Sequence, residues 1–206
     1  MKNIAVFASG RGSNFAAILE KIQGGDIPAQ VRCVISDHIH PAVFDIASKV
    51  GIPTHWVNRK QFKSGDDYTN FLLSLLEKYK VDLVVLAGYL KLIPAPIVKK
   101  YKNLMINIHP ALLPNFGGKG FWGMKVHQAV IKSGVKITGV TVHFIDEHYD
   151  TGSIILQEKV KVLPDDTPER LAERVLKVEH RVYPEVVKAL CNGKLRVTDR
   201  GIVWEK

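Results

Sequence analysis

Lys2-Asn3-Ile4-Ala5-Val6-Phe7-Ala8-Ser9-Gly10-Arg11-Gly12-Ser13-Asn14 is the stretch on which the fold turns. Lys2–Ala8 is a short β-rich run that passes at once into a loop with two glycines. Beyond the loop, Phe15, Ile18, Leu19 and Ile22 recur at helical spacing until Gly24-Gly25 stops them. A strand that enters a helix through a tight glycine turn reads as the opening of a βαβ unit.

Outward from there the alternation continues. Gln30–Ser36 reads as a strand, Pro41–Val50 as a helix stopped by Gly51, and Thr54–Val57 as another short strand. Gly65–Lys80 places Tyr68, Phe71, Leu72, Leu75, Leu76 and Tyr79 at helical spacing. Val81–Ala87 is a nearly continuous apolar run, as expected of a strand covered on both faces. Met105–His109 repeats that reading after a short helix near Pro96–Lys102. The pattern predicts an α/β fold: a Rossmann-like, open, mostly parallel twisted sheet with helices on both faces.

Pro110–Gly120 is rich in Pro and Gly and reads as a loop, and Trp122–Ser133 as a helix. Lys136–Ile145 and Ile154–Val162 read as longer strands joined by a polar loop. Thr167-Pro168-Glu169 is a helix start, with Thr as cap, Pro in the first turn and an acid near the positive end of the dipole. Leu171, Val175, Val178, Val182 and Val186 continue it on one face, with Pro184 expected to kink or break it. Leu195–Trp204 reads as a hairpin turning near Asp199-Arg200-Gly201. No linker, repeat or low-complexity tract interrupts the chain, so residues 1–206 read as one domain.

Bulk composition fits a globular enzyme: 46% hydrophobic and 24% charged. Lys and Arg total 29 against 20 Asp and Glu, for a net charge of +9. The basic residues form no unbroken block; the densest patches, Lys99–Lys102 and Arg196–Arg200, are interrupted. A solvated basic surface, or a positive cleft for small anions, accounts for the charge better than a nucleic-acid footprint does. Cys33 and Cys191 stand alone, outside any metal-type spacing. His38 and His40 read as a surface loop rather than as metal ligands. The chain shows neither a signal peptide nor a run approaching the roughly 18 apolar residues that span a membrane. A cytoplasmic location follows, with no membrane partner.

Two stretches carry chemistry. Gly10–Asn14 reads either as a phosphate cradle, where helix N–H groups hold anionic oxygens, or as a tight turn with Ser13 or Asn14 as cap. It is neither a GxGxxG nor a Walker A loop. In Met105–Pro114, Asn107 and His109 alternate on one face of a strand, near the end where open parallel sheets bind ligands. An amide and an imidazole there can stabilise a developing oxyanion or pass a proton. The strand at Gly139–Ile145 feeds an acidic loop closing in Asp150-Thr151-Gly152. A carboxylate from it beside His109 would raise the imidazole pKa. Asp146, Glu147 and Asp150 are each candidates on the residues alone.

Taken together, Ser9–Asn14, Leu86–Leu92, Asn107–Pro114, Thr141–Phe144 and Asp150–Gln157 resemble the phosphoribosylglycinamide formyltransferase family across essentially the whole chain. The resemblance implies the formyltransferase fold, 10-formyltetrahydrofolate as formyl donor, a ribonucleotide amine as acceptor, and no metal. It implies catalytic roles for Asn107, His109 and Asp150, so that Asp150 is the acid. It implies substrate contacts from Gly12, Ser13, Asn14 and Glu179. It places the folate against Leu90, Lys91, Leu92, Ile93 and Asn107, and it implies a cis Leu113–Pro114 bond. In that mechanism Asp150 keeps His109 charged and holds the water that relays the amine proton.

Two features depart from the family. Gly65 stands where some relatives carry an arginine for the folate tail, and Lys119–Lys125 looks like an insertion, read as a flap or as a loop leading into the next helix. A tRNA formyltransferase would carry a further C-terminal barrel, and a formyltetrahydrofolate hydrolase a further N-terminal domain. A plain nucleotide-binding module would not explain Asn107, His109 and Asp150 together. The oligomeric state is left between monomer and homodimer.

Overall fold

Ile4, Ala5, Val6 and Phe7 are all fully buried, which requires a strand covered on both faces. A computed structural model, describing residues 1–199 and 201–205, places that strand near the centre of a seven-stranded sheet. In chain order the main elements are β1 (Lys2–Phe7), α1 (Ser13–Gln23), β2 (Ala29–Ser36), α2 (Ala42–Lys49), β3 (Thr54–Trp56), α3 (Gly65–Lys78) and β4 (Leu83–Leu86). Then follow α4 (Ala95–Lys100), β5 (Met105–His109), α5 (Met124–Ser133), β6 (Ile137–Phe144), β7 (Ile154–Lys161) and α6 (Pro168–Cys191). The sheet order is β3-β2-β1-β4-β5-β6-β7. The first five strands run parallel, while β6 and β7 reverse in turn. The mostly parallel α/β sheet expected from the alternation is therefore present.

Side-chain alternation in the strands builds two apolar layers. Ile4, Val6, Ile106, Ile108, Val140 and Val142 face α1, α2, α5 and α6. Ala5, Phe7, Val84, Leu86 and Met105 face α3 and α4. Strand order reverses direction at β1, so the loops after β1 and β4 meet at the carboxyl ends of the strands, where this architecture leaves a crevice. Ser9 N–H donates to the Gly88 carbonyl at 3.1 Å across that meeting.

Several boundaries shift for identifiable reasons. β4 begins only at Leu83, because Val81 N–H closes the exit turn of α3 on the Leu76 carbonyl. α5 begins at Met124 rather than Trp122, because Gly123 takes φ 52° and ψ −133°, outside the helical region. α6 continues through Pro184 to Cys191 without a break. Pro184, Val182, Tyr183, Val186 and Val187 are all buried there, and the Tyr183 hydroxyl donates to the Leu86 carbonyl at 2.7 Å. This burial offsets the N–H that proline lacks. Thr167 caps α6 as expected, accepting from Arg170 N–H. β8 (Leu195–Thr198) and β9 (Gly201–Trp204) pair as the expected hairpin, separate from the main sheet. Arg200, in its expected turn, lies outside the described residues.

Candidate active site

The antiparallel seam between β5 and β6 sets the chemistry. Its register puts Asn107 opposite His143 and His109 opposite Thr141. Opposed residues share a face, so four polar side chains gather between the apolar Ile106, Ile108 and Val142 of the same two strands. The His143 Nδ1–H donates to the Phe144 carbonyl at 2.7 Å. That leaves Nε2 to accept an Asn107 amide N–H at 3.2 Å. The second Asn107 N–H has no partner among the described residues. Thr141 Oγ1 donates to the Ala111 carbonyl and accepts from Leu113 N–H and Gln157 Nε2. One hydroxyl thereby pins the loop that leaves β5, including the cis Leu113–Pro114 bond that the resemblance implied.

Asp150 completes the group. Its Oδ2 lies 3.6 Å from His109 Nδ1 and its Oδ1 3.6 Å from His143 Nε2. Both separations exceed hydrogen-bond range. Gly118 N–H donates to Oδ2 at 2.9 Å. Asp150 sits at φ 57°, a conformation that Asp and Asn tolerate better than most residues. Gly152 explains the Asp-x-Gly pattern, since a Cβ there would collide with the Phe144 carbonyl. The other two acids go elsewhere: Asp146 binds the Thr151 hydroxyl and His148 N–H, and Glu147 lies 3.8 Å from Lys99.

Electrostatics correct one expectation. Burial holds the His109 pKa below its ordinary value, outweighing the upward pull of Asp150 and of the Phe116 carbonyl, which accepts from Nε2 at 2.8 Å. Asp150 therefore does not lift the His109 pKa above its ordinary value, as the sequence had suggested. Burial raises the Asp150 pKa, but His143, His109 and Gly118 N–H outweigh it, and the carboxyl titrates below its ordinary value.

The glycine loop ends differently from either reading of Ser13 or Asn14 as a cap. The cap of α1 is Gly12, at φ 77°, and no side chain caps the helix. A Cβ on Gly12 would stand 2.6 Å from Val43 Cγ2. The N–H groups of Ser13, Asn14 and Phe15 thus lack intrahelical acceptors. Asn14 Nδ2 donates to Glu179 Oε2 at 3.2 Å, joining α1 to α6. Asn14 Oδ1 is buried with no partner among the described residues. Glu179 is itself buried, which pushes its pKa up to about 7, with Asn14 pulling the other way.

The segment 90–93 follows β4 at the switch point. Leu90 and Leu92 are exposed, Ile93 is buried, and Lys91 Nζ lies 3.9 Å from Asp37 Oδ2. At Gly65, where the resemblance puts an arginine in some relatives, the Arg59 guanidinium lies 3.8 Å from where a Cβ would sit. In the 119–125 segment Phe121 and Trp122 are partly exposed, and Lys125 Nζ stands 4.5 Å over the Trp122 ring. Among the described residues no three His, Cys, Asp or Glu side chains gather as a metal site, and no helix is long and apolar enough to cross a membrane.

A family model described as formyl transferase matches residues 2–187. The chain belongs to the formyl transferase family. The chain is 45% identical over its full length to "Phosphoribosylglycinamide formyltransferase, chloroplastic" of Vigna unguiculata, and spans 64% of that relative. It superposes with a TM-score of 0.91 on glycinamide ribonucleotide transformylase 1 from Symbiobacterium toebii, at 37% identity, covering 100% of this chain and 95% of that one. A formyltetrahydrofolate deformylase from Pseudomonas syringae is more distant, at 27% identity and a TM-score of 0.88, with 66% of its chain covered.

The sequence alone brings together Asn107, His109 and Asp150 but gives His143 and Thr141 no role. The available signal was the Thr-x-His spacing of 141–143, which mirrors Asn-x-His at 107–109 once β5 and β6 are paired. His127 was also passed over. It is buried, its Nδ1 has no partner among the described residues, and burial, with a smaller effect of His109, pushes its pKa down to about 4.

Proposed function

We propose that this chain transfers the formyl group of 10-formyltetrahydrofolate to the amine of 5'-phosphoribosylglycinamide. The products are the formylglycinamide ribonucleotide and tetrahydrofolate, a step of de novo purine (IMP) biosynthesis, carried out in the cytoplasm. The observation that carries this reading is the meeting of Asn107, His109 and Asp150 at the carboxyl end of β5. The same end of the sheet holds the uncapped start of α1.

The folate supplies an activated formyl carbon. The protein's part is to hold the neutral amine against that carbon and to stabilise the charge that builds on its oxygen. Asn107 has an amide N–H to spare after bonding His143, and it donates to the formyl oxygen. His109 begins neutral, because burial disfavours its charged form. Negative charge growing on the formyl oxygen adds to that of Asp150 and raises the proton affinity of the ring as the reaction proceeds. Asp150 stays ionised and orders a water that takes the proton from the attacking nitrogen and returns it to folate N10. The new C–N bond forms to the glycinamide nitrogen and the bond to N10 breaks.

The N–H groups of Ser13 and Asn14, opened by the left-handed turn at Gly12, hold the substrate phosphate. Glu179 and the unpartnered Asn14 Oδ1 offer acceptors to the rest of the ribonucleotide. Leu90, Lys91, Leu92 and Ile93 line the folate, with Asn107 between the two ligands.

The test is a spectroscopic assay of 10-formyltetrahydrofolate with and without the ribonucleotide. Loss of the formyl group that depends on the ribonucleotide and yields its formylated product is expected. Deformylation without the ribonucleotide would instead identify a hydrolase, the activity named for the more distant structural neighbour.

A further inference from the structure

Ser9 and Asp37 lie outside the catalytic group, yet both are buried and polar. Ser9 follows β1, Asp37 follows β2, and the segment they touch follows β4. The Ser9 hydroxyl donates to Asp37 Oδ1 at 2.6 Å and accepts from Leu90 N–H at 3.0 Å. A carboxylate can only accept, so the serine proton must point at Asp37 and its lone pair at Leu90. The two bonds fix each other. Asp37 is held in turn through its carbonyl, which accepts from Asn58 Nδ2 at 2.8 Å. Its carboxylate also faces Lys91 Nζ at 3.9 Å and His38 Nδ1 at 3.0 Å.

Residues 90–93 have no strand or helix of their own; they cross from β4 to α4. Gly88, with φ 77°, lets the backbone turn there, and nothing in a glycine restrains the path beyond. Restraint comes from across the crevice, through Ser9 N–H to the Gly88 carbonyl and the Ser9 hydroxyl to Leu90.

We propose that Ser9 and Asp37 form a positioning pair that sets the path of the folate-lining segment 90–93. The pair touches no reacting atom. It acts through Leu90 and Lys91, and the inference rests on the formyl-transfer reading given above.

Removing the hydroxyl leaves Leu90 N–H unpaired and frees the segment. Ser9→Ala should raise the KM for 10-formyltetrahydrofolate about tenfold, with kcat and the ribonucleotide KM within about twofold of the unsubstituted enzyme. Asp37→Ala should do the same. Asp37→Asn retains a side-chain oxygen that accepts the serine proton, so its folate KM should stay within about threefold. Direct calorimetric binding of 10-formyltetrahydrofolate should follow the same order. A general loss of structure would move both KM values together and would not be rescued by Asn. Equal effects on both substrates, an unchanged folate KM in Ser9→Ala, or Asp37→Asn as impaired as Asp37→Ala would each overturn the pairing. Should Ser9→Ala fail to fold, the Asp37→Ala and Asp37→Asn comparison decides. If the unsubstituted chain shows no ribonucleotide-dependent transfer, the functional reading fails; if it transfers formyl and the variants bind folate normally, only the pairing fails.

Discussion

Asp150 is held by a backbone N–H, faced by two imidazoles and set at a positive φ that asparagine also adopts readily. Asp150→Asn therefore changes the charge with little change of shape, and kcat should fall at least about 100-fold while the melting temperature stays close to that of the unsubstituted protein. Asn107→Ala removes the proposed donor to the formyl oxygen, and a similar fall of about 100-fold is expected in single-turnover rates. Normal turnover in both variants would remove these residues from the mechanism. At this scale the sequence was readable where chemistry and period coincide: Asn107 and His109 alternate on an apolar strand, and the pattern alone puts them on one face. It was not readable for the acid, because Asp146, Glu147 and Asp150 share one loop and only the folded loop turns Asp150 inward. The charge state of His109 was misjudged because burial depends on the packing around the ring, which a sequence does not display.

Between elements, the candidate site is set by how β6 lies against β5 and by how the start of α1 is left open. Thr141 spends its hydroxyl on three partners in the loop beyond β5 and on β7. Thr141→Val keeps the shape and strands those partners, at a cost of about 2–4 kcal/mol in urea unfolding. A loss below roughly 0.5 kcal/mol would mean the loop is anchored by other contacts. Gly12→Ala meets both a left-handed φ and the Val43 side chain. It should destabilise by about 1–3 kcal/mol and raise the ribonucleotide KM, leaving the folate KM unchanged. A rise in the folate KM alone would detach this loop from the phosphate. Strands and helices of the parallel half were legible to within a few residues, since buried apolar runs and glycine stops mark them. The Asn107–His143 and His109–Thr141 pairings were not, because register between residues more than 30 apart in the chain is a property of strand pairing.

For the molecule as a whole, two buried groups tilt stability against pH in opposite directions. His127 titrates near 4 when folded and near its ordinary 6.5 when unfolded. The stability gained by keeping it neutral is present above 6.5 and is lost as pH falls towards 4. Glu179 titrates near 7 when folded against an ordinary 4.5, so its contribution is present below 4.5 and is lost as pH rises to about 7. Over the shared window the two slopes oppose. Glu179→Gln should leave the histidine slope uncovered, so that unfolding free energy rises more steeply with pH by up to about 3 kcal/mol across the window. His127→Asn should tilt it the other way. Parallel profiles for all three proteins would show that neither group titrates as its burial dictates.

The last helix has a consequence for how the chain comes into being. β1 finds one neighbour in β2 soon after it is made, but its other neighbour, β4, ends at Leu86, and the α6 side chains that join Ile4 and Val6 in one apolar layer come from residues beyond 167. A ribosome therefore exposes one oily face of the nascent sheet for most of synthesis. Tyr183, reaching back to the Leu86 and Ile106 carbonyls, is the clasp that closes it. Nascent chains stalled before α6 should be held by chaperones, and release should come only once that helix has emerged.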